Sequence, residues 1–248
     1  MRLESSPNLK LHAPDAALQA YLLGSVEFGA ALDLQRLLAY QVACNRDQAA
    51  LILCEHPAHI TIGRQGSRTH VFLGADELRV RGWRVRWVNR GGGTWLHVPG
   101  QLAVYPILPL DQLGLSIPEY LRRLRAVLAA VLDDFSLRGV TEAGAAGLHV
   151  GGRLVADCGV AVRDWVSYYG ATLNVNPDLE VFRQIRCGVP PAATTSVERE
   201  RRGPLRSALI RERVLEHFAA HFGFSRTSLF FHHPSLLRKA PSDAVAAV

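Results

Sequence analysis

The segment LHVGGRLVADCGVAV (residues 148–162), followed by SYYGATLN (residues 167–174), decides which class of fold this chain adopts. The glycine pair at residues 151–152 separates two apolar runs, and two successive glycines are typical of a two-residue hairpin turn. Residues 148–150 and 153–162 are therefore predicted to pair as antiparallel strands. The segment that follows them is predicted to be a third strand.

Helical periodicity flanks these strands. Residues 34–44 repeat apolar side chains every three or four positions along one predicted face. These side chains are Leu34, Leu37, Leu38 and Val42. Residues 117–135 carry a longer stripe of this kind, and residues 206–222 are predicted as a last helix. Further short strands are predicted at residues 49–54, 83–89 and 102–108. The predicted fold class is α/β (α+β), a mixed sheet with flanking helices.

Length and composition limit the number of domains. With 248 residues and 48% hydrophobic content, the chain can bury one large core. We expect one domain over residues 1–222 and a C-terminal tail over residues 223–248 that is partly disordered. The apolar runs are shorter than the roughly 20 residues that a bilayer span needs. Because residues 1–14 also lack a signal-peptide pattern, a cytoplasmic location is expected.

The cysteines and the net charge limit the kind of site. Cys44, Cys54, Cys158 and Cys187 are far apart and form no CxxC pair, so neither a zinc site nor a redox pair is predicted. The formal net charge of +6 favours acidic partners. The basic run at residues 199–206 is more typical of a solvated loop than of a docking patch.

The segment RGGGTWLHVPGQ (residues 90–101) places three glycines after a predicted strand. Glycines allow the backbone to approach a ligand closely and to present its N–H groups. The spacing fits neither a GxxxxGK[ST] phosphate loop nor a GxGxxG motif. Two interpretations remain open: a ligand-binding loop, or a glycine-rich β connection in which His97 is an ordinary polar residue.

Cys187 is the strongest candidate for chemistry. It lies in IRCGVPP, in a predicted loop before the last helix. The chain contains no GxSxG, HExxH or paired-carboxylate arrangement, so thiol chemistry is the best remaining candidate. An isolated cysteine is also compatible with an inert core position.

Several ordered blocks resemble one known family. The blocks are EHP (55–57), TIGR (61–64), RGG (90–92), HVPGQ (97–101), GATLNVN (170–176), CG (187–188) and TSV (195–197). Over about residues 23–222, the chain thereby resembles the octanoyltransferases of lipoate biosynthesis. These enzymes move an octanoyl group from acyl carrier protein onto lipoyl domains, a step of protein lipoylation.

This resemblance implies a fold shared with the catalytic domains of biotin and lipoate protein ligases. It implies a single acyltransferase domain that forms a thioester intermediate on Cys187 and requires neither metal nor cofactor. The implied partners are acyl carrier protein and lipoyl-domain proteins, with no nucleic acid, no membrane and a monomeric enzyme. The substrate-binding residues that it implies are Arg90, Gly91, Gly92, Gly93, Thr94, Trp95, Leu96, His97, Asp157, Cys158, Gly159, Gly170, Ala171 and Thr172.

The chain departs from the family pattern at three positions. Leu154 stands where the family has an activating lysine, Tyr169 where it has a histidine, and Trp95 where it has a threonine. In the predicted hairpin His149 lies across from Leu154 on the same face. We therefore hypothesise that His149, or else His97, replaces the lysine as catalytic base to Cys187. The alternative is that His149 is a tolerated polar residue.

These departures leave other functions open. One is a catalytically silent paralogue that binds an acyl chain or a carrier protein, which Leu154 and Tyr169 favour. Another is a divergent lipoyl amidotransferase that passes lipoyl groups between carrier proteins. A third, an ATP-dependent ligase, is disfavoured because the ligases of this fold also use a lysine at the position of Leu154.

Overall fold

A computed structural model describes residues 17–142, 144–187 and 193–237 of the chain. Within these ranges, ten strands form one large and one small sheet. In chain order the strands are β1 (Leu18–Ser25), β2 (Ala49–Glu55), β3 (His59–Ile62), β4 (Arg84–Trp87), β5 (Thr94–His97), β6 (Gln101–Ile107), β7 (Leu148–Val150), β8 (Arg153–Arg163), β9 (Val166–Asn174) and β10 (Thr227–Phe230). The α-helices are α1 (Phe28–Cys44), α2 (Ala75–Arg81), α3 (Ile117–Asp134), α4 (Val197–Arg201), α5 (Ser207–Phe222) and α6 (Pro234–Leu237).

The two sheets are mixed. The large sheet has the order β10-β1-β2-β6-β9-β8-β7, and the small sheet has the order β4-β3-β5. In the large sheet β1 runs parallel to both of its neighbours, while the other pairs are antiparallel. In the small sheet β3 is parallel to β4 and antiparallel to β5. The predicted fold class, a mixed sheet with flanking helices, is confirmed.

The glycine hairpin forms as predicted and contains a bulge. Gly151 and Gly152 have φ angles of +56° and +73°, which suit a tight turn between β7 and β8. Leu148 pairs with Ala156, but His149 pairs with Leu154, so one residue of β8 is left over. Since a bulge reverses the alternation of faces, Leu154 joins the cluster around the small sheet rather than the main core.

The large sheet is covered on both faces. On one face, α3 and α5 contribute buried side chains such as Leu124, Val131 and Phe218 to the main core. On the other face, α1 buries Leu34 and Leu38 against the sheet. Burial of each such side chain stabilises the fold by about 1.5–3 kcal/mol. No helix in the described ranges is long and apolar enough to cross a bilayer.

The helix near the N-terminus differs in detail from its prediction. It begins at Phe28, six residues before the predicted start, and its buried face runs along Leu34, Leu38 and Val42. Leu37, predicted on that face, is 37% exposed. The buried face includes Ala31 and Gln35 and therefore turns away from Leu37, so this detail of the prediction was wrong.

Several elements escaped the sequence patterns, because they are short or buried on all sides. Strands β3 and β5 have four residues each, all buried, and therefore lack alternation. Strand β10 and helix α6 lie within the segment that we expected to be a tail. The end of that segment, from residue 238 onward, lies outside the described residues.

Candidate active site

A buried chain of side-chain hydrogen bonds joins the sequence blocks of the family resemblance. The Gln101 Nε2 donates to Asn174 Oδ1 at 2.8 Å, and Asn174 Nδ2 donates to the Thr195 carbonyl at 3.0 Å. The Val98 N–H donates to Gln101 Oε1 at 2.7 Å. Three segments far apart in sequence are thus locked together, because none of these amides has water as an alternative partner.

The glycine-rich segment wraps a buried arginine. The Arg90 guanidinium is 6% exposed and donates to Thr61 Oγ1 at 2.8 Å and to the Gly91 carbonyl at 2.9 Å. The loop is fixed from both sides, since Gly91 N–H donates to the Val160 carbonyl and Gly93 accepts from Gly63 N–H. Gly92 has φ +83°, which favours glycine. A fixed positive charge therefore lies beneath the glycine segment.

His97 belongs to the same hydrogen-bond network. Its Nε2 lies 3.2 Å from Thr61 Oγ1. The Thr61 hydroxyl, which accepts from Arg90, can either donate to this Nε2 or accept from it, so either Nε2 or Nδ1 of His97 carries the proton. This Nδ1 is buried without a partner among the described residues. Burial, together with the positive charge of Arg90, holds the pKa of His97 well below 6.5, so the imidazole is neutral.

Two further histidines lie beside it. His56 Nδ1 donates to the Val26 carbonyl at 2.6 Å, and His56 Nε2 accepts from the Tyr105 hydroxyl at 2.8 Å. Phe28 stacks on His59 with ring centroids 4.8 Å apart. Burial lowers the pKa of both His56 and His59 to about 4. In the described residues no group of His, Cys, Asp and Glu side chains is arranged to hold a metal ion.

Cys187 is buried in an apolar cluster. Its residue exposure is 2%, and its cluster includes Trp95, Leu96, Leu154 and Ile185. Desolvation raises the pKa of the thiol to about 12, and the charge of Asp157 adds to this effect. A backbone hydrogen bond from Leu96 and the charge of Arg90 act in the opposite direction. At neutral pH the resting thiol is protonated.

Leu154 lies where the family resemblance implies an activating lysine. Its backbone pairs with the segment that returns after Cys187: Leu154 N–H donates to the Ala193 carbonyl at 2.8 Å, and Thr195 N–H donates to the Leu154 carbonyl at 2.9 Å. The neighbouring Arg153 points elsewhere, toward Glu200, which it reaches at 2.7 and 2.9 Å. No cation from these two positions therefore reaches the thiol.

Asp157 and His149 form the polar side of this region. Asp157 is buried; desolvation raises the pKa of its carboxyl, and the charge of Arg90 opposes that rise. His149 pairs across the hairpin with Leu154, as predicted, and its charged form would lower the pKa of Asp157. The imidazole is 1% exposed, and its Nδ1 has no partner among the described residues. His149 thus lies near Asp157 with a ring nitrogen free for a further partner.

The remaining predicted site residues divide into two groups. Eight of the substrate-binding residues line one small buried chamber: Arg90, Trp95, His97, Asp157, Gly159, Gly170, Ala171 and Thr172. The others lie outside it. Cys158 packs in the main core, Leu96 packs beside Cys187, and Thr94 Oγ1 donates to the Ser67 carbonyl at 3.1 Å. The sequence patterns missed Phe28 and Tyr105, which also line the chamber.

The chamber is small, and a large groove lies beside it. The chamber has a volume of about 20 Å³, and its lining includes the aromatic residues Phe28, Trp95, Tyr105 and Tyr169. The groove has a volume of about 1090 Å³. Its lining includes Arg36, Arg64, Arg86, Arg163, Trp87 and Tyr168. These side chains come from separate elements, so no local sequence pattern could have predicted the groove.

Comparison with known proteins identifies the family. Residues 28–219 match the family model described as lipoyl protein ligase A/B catalytic domain. The chain is 38% identical over 178 residues to the octanoyltransferase of Syntrophobacter fumaroxidans, covering 71% of this chain and 78% of that one. It is 40% identical over 176 residues to the octanoyltransferase of Geobacter metallireducens, covering 71% and 79% of the two chains.

Solved structures show the same fold. A lipoate-protein ligase A bound with ATP superposes with a TM-score of 0.64 at 15% identity, over 90% of this chain and 91% of that one. The bipartite lipoate protein ligase of Thermoplasma acidophilum gives a TM-score of 0.60 at 16% identity, over 87% and 86%. The predicted similarity to the lipoate ligases is confirmed.

Fold and sequence together define an acyltransferase of the lipoyl protein ligase A/B class. Within that class, the chain belongs to the octanoyltransferase family.

Proposed function

We propose that this octanoyltransferase carries the octanoyl group from an acyl carrier protein thioester to a lysine of a lipoyl domain, through a thioester on Cys187. The observation that best supports this proposal is the position of Cys187. It lies between the Leu96 N–H and the edge of β8 at Leu154, with Arg90 and Asp157 close enough to influence its pKa. Cys187 does not line the small chamber; it borders a separate pocket beside Ile185 and Thr194.

In the first step the Cys187 sulfur attacks the carbonyl carbon of the donor thioester. A new carbon–sulfur bond forms, the bond to the carrier thiol breaks, and the carrier leaves as a thiol with the proton that Cys187 gave up. In the second step the lysine amine attacks the enzyme thioester. An amide forms, the carbon–sulfur bond breaks, and the Cys187 sulfur takes up the proton that the amine loses. Backbone N–H groups of the glycine segment hold the oxyanion in both steps.

A thiol with a pKa of about 12 needs a proton acceptor to become a nucleophile. We assign this role to His149, with His97 as the second candidate. Two observations support His149: it lies across from Leu154, and its buried Nδ1 has no partner among the described residues. His97 is less suited, because its Nε2 is occupied by Thr61 and its pKa is far below neutral.

The proposed partners fit the charge of the protein. A formal net charge of +6 favours the acidic surfaces of an acyl carrier protein and of a lipoyl domain. A cytoplasmic location and a monomeric enzyme complete the proposal.

Intact-mass spectrometry after incubation with octanoyl acyl carrier protein tests it. The expected result is one octanoyl adduct that a lipoyl domain then discharges. The matched control is Cys187→Ala, which keeps the other three cysteines and should take no adduct. An adduct that persists in Cys187→Ala would overturn the role of Cys187.

A catalytically silent acyl- or carrier-binding protein is the second candidate. The small chamber and the apolar side chain at Leu154 favour it. Carrier binding without an adduct on the parent protein would support this candidate instead.

A further inference from the structure

The chamber assigned to the acyl chain is nearly full. Its volume of about 20 Å³ is room for about one water molecule. An eight-carbon chain is far larger. If the proposed octanoyl transfer uses this chamber, at least one of its walls must move when the substrate binds.

The backbone walls are held in place. Gly159 and Gly170 belong to β8 and β9, which pair with each other directly at these two residues. A Cβ atom at Gly159 would lie 2.7 Å from the Gly91 carbonyl oxygen, and one at Gly170 would collide with the Val104 carbonyl. The neighbouring backbones are therefore in close contact already. Withdrawing either strand would break hydrogen bonds of the sheet.

Most of the side-chain walls are also held. The Arg90 guanidinium donates to the Thr61 hydroxyl. His97 Nε2 lies 3.2 Å from that hydroxyl. The Tyr105 hydroxyl is 2.8 Å from His56. Phe28 stacks against His59. Moving any of these side chains would break a buried hydrogen bond or a ring contact.

Tyr169 differs from these walls in its position, although its ring also contacts that of Tyr168, with centroids 5.1 Å apart. Among the described residues that line the chamber, it is the one that also lines the open groove. Tyr169 therefore borders both a chamber of about 20 Å³ and a groove of about 1090 Å³. A turn of this side chain toward the groove would join the two spaces without moving a strand.

The backbone of Tyr169 is fixed independently of its ring. Its φ angle is +56°, in the left-handed region that residues other than glycine seldom adopt. The Tyr169 N–H donates to the Gln35 side-chain oxygen at 2.7 Å, which anchors it to α1. Non-glycine residues in this conformation persist where the surroundings hold them, and they are frequent at ligand sites and switches. A rotation of the ring would break its contact with Tyr168 and would leave the backbone hydrogen bond in place.

We propose that Tyr169 is a gate: its ring controls access of straight, medium-length acyl chains from the groove to the chamber. The groove is the access route, and the outward position of the ring opens the space that the octanoyl chain occupies. Tyr169 is then a specificity-determining residue, because the volume it vacates limits the length of the chain that fits.

The test measures binding in the absence of chemistry. In a Cys187→Ala background, octanoate binding is measured by calorimetry for the Tyr169 parent, Tyr169→Ala and Tyr169→Phe. The carboxylate stands in for the thioester carbonyl. Tyr169→Ala is expected to bind octanoate at least tenfold more tightly than the parent, because no ring has to move. Tyr169→Phe keeps the ring and should match the parent.

Equal affinity in all three proteins would overturn the gate. Thermal unfolding checks that each variant is folded, and Tyr169→His provides a second, smaller side chain should Tyr169→Ala fail to fold. Since this background lacks the Cys187 thiol, the outcome does not depend on the proposed thioester. A parent that forms the octanoyl adduct while Tyr169→Ala gains no affinity would remove the gate and leave the proposed function standing.

Discussion

The side chain of Leu154 lies in the same apolar cluster as Cys187, at the position where the family resemblance implies an activating lysine. The thiol is consequently surrounded by hydrocarbon on this side, and its pKa is raised to about 12. The leucine beside the thiol makes the surroundings of Cys187 differ from the family pattern, while the fold is the same. It also gives the most direct experiment.

Restoring a lysine by Leu154→Lys should lower the pKa of Cys187. A nearby ammonium stabilises the thiolate, so alkylation of Cys187 by iodoacetamide at pH 7 should accelerate at least tenfold. Peptide mass spectrometry distinguishes Cys187 from the exposed Cys44. Leu154→Met is the matched control and should leave the rate unchanged. An unchanged alkylation rate in Leu154→Lys would mean that the lysine side chain does not reach the Cys187 sulfur.

Removing the proposed base by His149→Gln should slow octanoylation of Cys187 by roughly 10²-fold, the usual scale of general-base catalysis. The measurement is the single-turnover rate of adduct formation by rapid-quench mass spectrometry. His217→Gln is the control, since that histidine pairs with Asp134 near the surface. A folded His149→Gln protein with the parent rate would exclude His149 and leave His97 to be tested.

Breaking the buried amide chain by Asn174→Ala should destabilise the protein by about 1–3 kcal/mol, because Gln101 and the Thr195 carbonyl lose a partner away from water. Urea unfolding measures the loss. Asn176→Ala is the matched control, since Asn176 is exposed and lies two residues away. Equal losses in both variants would contradict a specific role of the network.

Mild acid should destabilise the protein through its buried histidines. The pKa of His56 and of His59 in the folded state is about 4, below an unfolded value of about 6.5. Above pH 6.5 both states are neutral. As the pH falls from 6.5 toward 4, the unfolded chain binds protons that the folded protein excludes, and stability is lost. The expected loss from His56 is on the order of 3 kcal/mol.

Urea unfolding at pH 7, 6 and 5 measures this slope. His56→Gln should flatten it, although the variant starts from a lower stability because it loses the contacts with Val26 and Tyr105. A parent and a variant with the same slope would show that His56 does not contribute to the pH dependence.

The glycine hairpin and the long helices could be predicted from the sequence, because their patterns are local. Gly151 and Gly152 specify a turn by their own conformational freedom, and α3 carries its buried stripe over 18 residues. The pairing of His149 with Leu154 followed from the turn alone. The bulge at Val155 did not, because it is set by how β8 fits against the rest of the sheet.

The closed state of the chamber could not be predicted in this way. The sequence shows that Trp95 replaces a threonine of the family pattern and that Tyr169 replaces a histidine. It does not show where the two rings point. Phe28 and Tyr105 come from helix α1 and strand β6, and they meet the chamber through tertiary packing. The volume of the chamber depends on all these residues together, so no single sequence motif predicts it.

Strand β10 pairs with the outer side of β1. The C-terminal segment thereby covers a strand edge on which a second copy could otherwise pair. Without it, the eight residues of β1 would present a free row of N–H and C=O groups at the rim of the large sheet. Such a rim is a template on which a second copy can add its own strand. A chain that ends at Phe222 would keep its thiol, but it would lose Phe224 from the main core and the strand that protects β1 against edge-to-edge aggregation.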